Sequence, residues 1–589
     1  MAGWTALKNQ PNFNANHMML LTDGTVLVQE LATANWYKLT PDNKGSYVNG
    51  TWSTLATGPV GPTYYASAVL GDGRVFMAGG EDNFANNGVD INNCEIYDPV
   101  ADSWTNIPGP GWANIGDAPC CMLPDGTIIL GNINATSTAI YDPVANKWTA
   151  GPNKNDASSE ETWTLLPDQT VLVAECSNHP AAEKYVAAAN TWVSAGSIPA
   201  GHDLVQSSIG SSNEIGPAIL MPDGRVFAIG ASGHTALYTM PPIANQKGSW
   251  APGPDFPKDG SGNLYEAFDA PAVLLPSGNV FCLAGPIQND GWAGDPCHCY
   301  EFDGTSLNPA PDPPNASGKE TWECRMLLLP TGEVLLSARS NDIRVYQPDG
   351  SPDPTWAPEI TSCPATVRAG FTYTLKGRQI NGLSQANSYG DDATMATNFP
   401  LVRITNNATG NLVYCRTHGF STMAVATGNV VHSAQFDVPS SIGTGPSTLC
   451  VIVNGISTCT SVYVGFKIWK EIKWEIKENF KENIKVEVDV IGKQPISDIP
   501  KLKDNEGDPW QWWQYVVDPG WLQAVQLIAK TTDQLQQEVA ELRSFIRKEE
   551  RPDVGAAALK GVPTGTPKKS SPKKEEKKEG RKGKSKGRR

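Results

Sequence analysis

Long apolar runs are missing: nowhere do the 589 residues string together the roughly 18 to 20 apolar side chains that a bilayer-spanning helix needs. No membrane span is expected. The opening MAGWTALKNQ also lacks the charged-then-apolar pattern of a secretory leader, which leaves a cytoplasmic protein, export by another route, or a sequence starting at a mature end. Charged residues are only 18% of the chain and histidines number 7, so any site built on imidazoles has few to draw on. Lysine is scarce over residues 1–466, a composition that resembles secreted proteins. Cysteine is absent before Cys94 and after Cys459; the 12 in between are an even number compatible with disulfides, in a chain large enough not to need them.

What is present favours short strands. The 56 Gly, 46 Pro and 18 Trp, with many Asn and Thr, suit frequent turns rather than long helices. Charge is uneven: residues 1–466 hold 19 Lys and Arg against 41 Asp and Glu, a net −22, whereas residues 467–589 hold 27 against 20, a net +7. The acidic part is a poor partner for nucleic acid or an anionic membrane.

An apolar strand, a tight turn and a second apolar strand recur seven times: HMMLLTDGTVLV, ASAVLGDGRVFMAGG, CCMLPDGTIILG, TWTLLPDQTVLVAE, GPAILMPDGRVFAIG, APAVLLPSGNVFCLAG and RMLLLPTGEVLLS. The turns anchor at Asp23, Asp72, Asp125, Asp168, Asp223, Ser277 and Thr331, spaced by 49, 53, 43, 55, 54 and 54 residues. Asp-Gly between apolar runs marks a hairpin, because glycine accepts the positive φ of the turn. A period near 50 residues is the kelch spacing, so residues 1–356 are expected to form a seven-bladed kelch-type β-propeller. Tyr-to-Trp units follow the hairpins (Tyr97 and Trp104, Tyr141 and Trp148, Tyr185 and Trp192, Tyr346 and Trp356), predicting two more strands per blade with rings packed between blades or, alternatively, stacking sugars. The N-terminal GWTAL resembles an orphan outer strand that would close the ring.

Past Trp356 the rhythm changes. Residues 357–466 carry short alternating strands that predict an immunoglobulin-like β-sandwich, giving an all-β class for the globular part. A helical segment is expected over 467–550: Ile468, Ile472, Ile476, Phe480 and Ile484 share one face, and Trp521, Val525, Ile528, Thr532, Leu535, Val539, Leu542 and Ile546 follow coiled-coil spacing. Residues 521–546 therefore either pair copies of the chain into a homo-oligomer or dock on its own body. The basic tail 551–589 reads as disordered, and is either a solvated end or a contact for anionic polymers.

Ligand groups of a propeller come from loops entering the inner strands. Eight residues before each turn anchor stand Ala15, Tyr64, Asp117, Glu160, Ile215, Asp269 and Glu323, with Glu161 and Glu214 one position off. Tyr64, Asp117, Glu160, Glu161, Glu214, Asp269 and Glu323 are thus the candidate ligand-binding residues. These acids either gather at one opening to take a cation, an amine or a polyol, or cap loops through backbone N–H groups.

GPTYYASAVLGDGRVFMAGG, at residues 61–80, is similar to the galactose-oxidase blade that carries the radical tyrosine, with Tyr64 at its place. YCRTHGFSTM and the strands after it resemble that family's C-terminal domain, which implies that His418 is the copper-binding histidine carried into the channel. Other elements of the pattern are missing. His17 stands where the thioether cysteine is expected, the adjacent Tyr-His pair falls on Trp322 and Glu323, and the stacking tryptophan lands near Asp82. The resemblance implies the architecture over about residues 1–466 but not copper-radical alcohol oxidation.

The expectation is a binding protein for a small polar ligand, saccharide or cation at an acidic mouth, assembled through its C-terminal helices. One alternative is an oxidoreductase with a remodelled centre, with Tyr64 and Glu323 catalytic and His17, His418 and Glu323 holding metal; Cu, Zn or Ca are the ions considered. The other is a structural surface or assembly platform.

Overall fold

In a computed structural model, residues 2–82, 88–205, 215–286, 296–314, 318–389 and 395–465 are described. Glu214, the helical segment and the basic tail lie outside them. Among the described residues no helix is long and apolar enough to cross a membrane.

Seven antiparallel sheets form the propeller. In the second blade the strands run Ala66–Val69, Val75–Ala78, Cys94–Asp98 and Ser103–Ile107, from axis to rim. Gly73, with φ of 85°, makes its tight turn. The inner strands are buried and rich in Ala, Val, Leu and Met, and from the second blade through the last and on to the first they pack side by side around the axis. Aromatic rings fill the wedges outside: Tyr97 sits 4.9 Å from Trp104, which in turn lies 5.0 Å from Trp36 of the first blade. Trp104 Nε1 and Trp148 Nε1 donate to Ala56 O and Pro108 O of the preceding blade, so these rings join blades.

Gly3–Ala6 closes the ring as the outer strand of the last blade, pairing antiparallel with Arg344–Gln347. Trp4, not Trp356, is therefore the partner of Tyr346, at 5.1 Å between rings. Trp356 instead ends a short 3-10 turn, Pro354–Trp356, against the hairpin turn at Gly278. The sequence reading of Tyr346 and Trp356 as one unit is corrected on this point, because a strand from the other end of the chain reaches the site first.

The C-terminal part is one eight-stranded sheet curled over its own core. Its order is Glu359–Ser362, Thr372–Arg378, Val431–Asp437, Leu412–His418, Leu401–Asn406, Gly445–Val453, Ile456–Gly465, Thr366–Arg368, and only the last pairing is parallel. Val367, Leu375, Val402, Phe436, Leu449 and Val464 meet inside. Cys450 and Cys459 face each other in the hairpin and form a disulfide.

This sheet packs on the hairpin-turn side of the propeller. Arg416 donates to Asp72 O at 2.6 Å, and the Thr417 N–H to Thr22 O at 3.0 Å. From the same side, a segment of the C-terminal part enters the channel. Asn387–Tyr389 becomes a fifth strand on Pro271–Leu274 of the sixth blade. Gln385 Oε1 accepts from the Leu165 N–H at 2.9 Å in the fourth blade, and Asn387 Oδ1 from the Leu328 N–H at 2.8 Å in the last. These two side chains satisfy inner-strand donors that no neighbouring strand reaches. Gln385→Ala and Asn387→Ala are each expected to cost about 1–3 kcal/mol, by leaving a buried N–H unpaired. Hydrogen exchange should accelerate at Leu165 in the first variant and at Leu328 in the second; unchanged protection at both would show that the plug does not pin the channel.

Candidate functional site

The inserted segment runs toward the mouth, where the inner strands begin, and delivers Tyr389 there. Tyr389 is buried, its hydroxyl donating to Trp322 O at 2.7 Å. Over its ring, 3.3 Å from the centroid, lies the Arg325 guanidinium. Arg325 is 1% exposed, and its Nη1 donates to Trp322 O at 2.8 Å and Cys324 O at 3.0 Å. Such a buried cation is tolerable because its donors meet carbonyls and its face meets a π system.

A second guanidinium stands at the opening. Arg339 donates to the Tyr64 hydroxyl and lies 4.3 Å from the Trp322 ring centroid and 5.2 Å from that of Tyr64. Tyr64 and Arg339 both hold left-handed backbone, φ 55° and 45°, where ordinary side chains carry strain. Two residues strained at one contact indicate that the surrounding loops fix it firmly.

His17 packs beside this group, deeper on the first inner strand. Its Nε2 lies 3.3 Å from Ser67 Oγ and its ring 5.0 Å from Tyr65. Burial, then the Arg325 charge, push its pKa down to about 3, so the imidazole is neutral at ordinary pH. His17 and Arg325 occupy equivalent positions, each six residues before its turn anchor. That shared phase, a charge inside an apolar strand, was the available signal for Arg325.

Among the described residues, no three of the candidate acids have metal-ligand spacing. Glu161 is wholly buried beneath the fourth blade, paired with Lys154 and accepting from Trp163 Nε1 at 3.1 Å. Glu323 closes the short 3-10 turn Thr321–Glu323, taking the Glu320 N–H at 3.2 Å and Lys319 Nζ at 3.3 Å. Asp117 and Asp269 are buried at the entries of the third and sixth blades, and the Asp269 N–H donates to Ile215 O at 3.3 Å. The backbone carbonyl of Glu160 takes the Cys176 thiol at 3.0 Å.

His418 is corrected outright. It ends a strand of the C-terminal sheet, with Nε2 3.1 Å from Asp437, beside the residues that touch the hairpin turns. Tyr64 lies at the opposite end of the inner strand Ala66–Val69, roughly 20 Å away at about 3.3 Å per residue. The segment that actually enters the channel is that of Gln385 and Tyr389. His17, His418 and Glu323 therefore share no ion. At the mouth, Tyr64 accepts from Arg339, and the Arg325 guanidinium lies 5.9 Å from its ring centroid.

Among the described residues, one trio has metal-ligand spacing, namely His202, His234 and Asp255. It stands on the mouth side at the rim. Sequence reading missed it because its members come from three loops with no shared spacing.

The kelch motif matches residues 62–111, which is the second blade from its entry loop to past its outer strand. The motif, the seven four-stranded units and the closing N-terminal strand define a kelch-type β-propeller. The curled eight-stranded sheet follows the propeller in the chain. No curated protein matches it in sequence. Among solved structures, a fungal alcohol oxidase described as catalytically diverse within the AA5 family, in complex with copper, is similar at 14% identity and a TM-score of 0.46, over 79% of this chain and 99% of its own. Overlap of that degree transfers no residue role.

Proposed function

We propose that this chain is a kelch-propeller binding protein without copper-radical activity, taking a small polar ligand at the axial mouth. One observation carries the reading: Arg339, held against the rings of Tyr64 and Trp322, puts a fixed cation beside aromatic faces where the radical chemistry would need a free tyrosine. Aromatic faces beside hydrogen-bonding groups suit a saccharide, and the guanidinium selects one bearing a carboxylate, such as a uronic acid. The heptad positions between Trp521 and Ile546 add support for self-association, on which binding at the mouth does not depend.

Calorimetric titration with glucuronate, galacturonate and their neutral sugars tests this. Preference for the acid sugars is expected, with Arg339→Ala weakening them at least tenfold, since a hydrogen bond to a charged group contributes about 1.5–3 kcal/mol. Equal affinity for neutral sugars would move the ligand class away from carboxylates. Stoichiometric copper uptake with peroxide release from primary alcohols would overturn the reading itself.

A further inference from the structure

At the rim between the fourth and fifth blades, three loops on the mouth side converge. His202 follows the outer strand Thr191–Ser197, His234 lies in the turn before Thr235–Thr239, and Asp255 follows Ser249–Pro252. His234 Nδ1 is 2.8 Å and His202 Nδ1 3.6 Å from the same oxygen, Asp255 Oδ1, with the two rings 5.1 Å apart. One ligand atom from each falls within 4.8 Å of the others.

The hydrogen-bond count in this trio is incomplete without an ion. His234 can donate one proton to Asp255. His202 Nδ1 is then left enclosed from solvent, at 3.6 Å, with no hydrogen-bond partner. A buried nitrogen with a lone pair and no donor asks for an explanation. A divalent ion supplies one: tetrahedral ligands about 2.0–2.1 Å from zinc stand roughly 3.3 Å apart, between the two separations seen here.

The surrounding loops hold the trio in place. The Gly230 N–H donates to His234 O at 2.9 Å, and the Phe256 N–H to Gly233 O at 3.0 Å, which ties Asp255 to the histidine turn. Gly233 has φ of 81°, and a Cβ there would meet Leu264 Cβ at 2.5 Å. On the other side, the Ser232 hydroxyl donates to the Asp203 carbonyl, at 2.5 Å, and the Asp203 carboxylate pairs with His179. Preorganised loops of this kind are what a ligand set requires.

We infer that His202, His234 and Asp255 form a binding site for a divalent transition-metal ion of the zinc class, separate from the axial mouth. Two imidazoles and one carboxylate leave a coordination position for water, and at 26%, 29% and 41% exposure the side chains give the ion a way in from solvent.

The test uses the full untagged chain, stripped with chelator and titrated with Zn²⁺ by calorimetry, with elemental analysis after dialysis. One zinc per chain is expected, and His234→Ala and Asp255→Asn should each weaken it at least tenfold while the urea midpoint stays unchanged. Co²⁺ in place of zinc should give visible d–d absorption that both variants lose. Should His234→Ala misfold, His202→Gln and Asp255→Asn carry the comparison. No zinc uptake by the wild type, or uptake undiminished in the variants, would overturn the inference; the second result would point to the cysteines as ligands.

Discussion

Replacing Lys154 by methionine is expected to destabilise the propeller by about 3–5 kcal/mol, the usual range when one partner of a buried ion pair is removed. Lys154 bridges the third and fourth blades, its N–H donating to Thr136 O at 2.8 Å. Its ammonium is fully buried against Glu161, 3.1 Å from Glu175 and 3.8 Å from Glu183, and lies 5.9 and 5.7 Å from the Trp163 and Trp192 rings. Burial opposes its charge, but the neighbouring glutamates, Glu161 first, outweigh burial and hold its pKa above the ordinary lysine value. Methionine fills a similar volume, yet leaves the buried glutamates with no cation.

The carboxylates differ among themselves. Burial, then the charge of Glu161, push Glu175 up to about 11, so it keeps its proton at neutral pH. A raised carboxyl pKa contributes full stability below the unfolded value of about 4.5, and that contribution is lost as pH climbs toward about 11. Glu175→Gln should therefore gain stability relative to wild type as pH rises across this window. Urea midpoints at several pH values check both parts. A loss below about 1 kcal/mol for Lys154→Met, or no recovery on adding Glu161→Gln, would mean the cluster is not the closed, dry group described here.

Deleting residues 1–6 is expected to have the second large effect. The last blade would keep three strands and expose Arg344–Gln347 as an open edge, a template for pairing with other chains. Trp4 would no longer cover Phe281 and Tyr346, 6.0 and 5.1 Å from its ring, nor donate to Pro311 O at 2.7 Å. Loss of much of a tryptophan's apolar contact, at about 25 cal/mol per Å² over roughly 100 Å² or more, removes about 3 kcal/mol before the strand's hydrogen bonds are counted. The truncated chain should unfold at lower urea and elute partly as higher oligomers, and a peptide spanning residues 2–10 should restore the midpoint. A truncated chain as stable and monomeric as the intact one would show that closure does not depend on this strand.

Much of the architecture was legible in the sequence. Each Asp-Gly or equivalent turn forms its hairpin from local pattern alone, and the repeat near 50 residues specified the ring because one blade cannot bury both its faces. Tyr64 was also legible, since it sits inside the motif of its blade. The partners of Tyr64 were not. Arg339 follows the inner hairpin of another blade, and Arg325, 5.9 Å from the Tyr64 ring centroid, lies over Tyr389 from the C-terminal part, so no sequence spacing joins them. His418 shows the converse error: a histidine in a familiar-looking segment, placed by the packed sheet at the wrong end of the propeller.

Local chemistry along the chain thus determined the strands, the turns, the blade number and the closing N-terminal strand. Tertiary structure alone decided which side chains meet at the axis and at the rim. Burial made that choice: filling a channel whose inner strands carry unpaired N–H groups drew in Gln385 and Asn387, and with them came Tyr389, on whose ring a buried arginine rests.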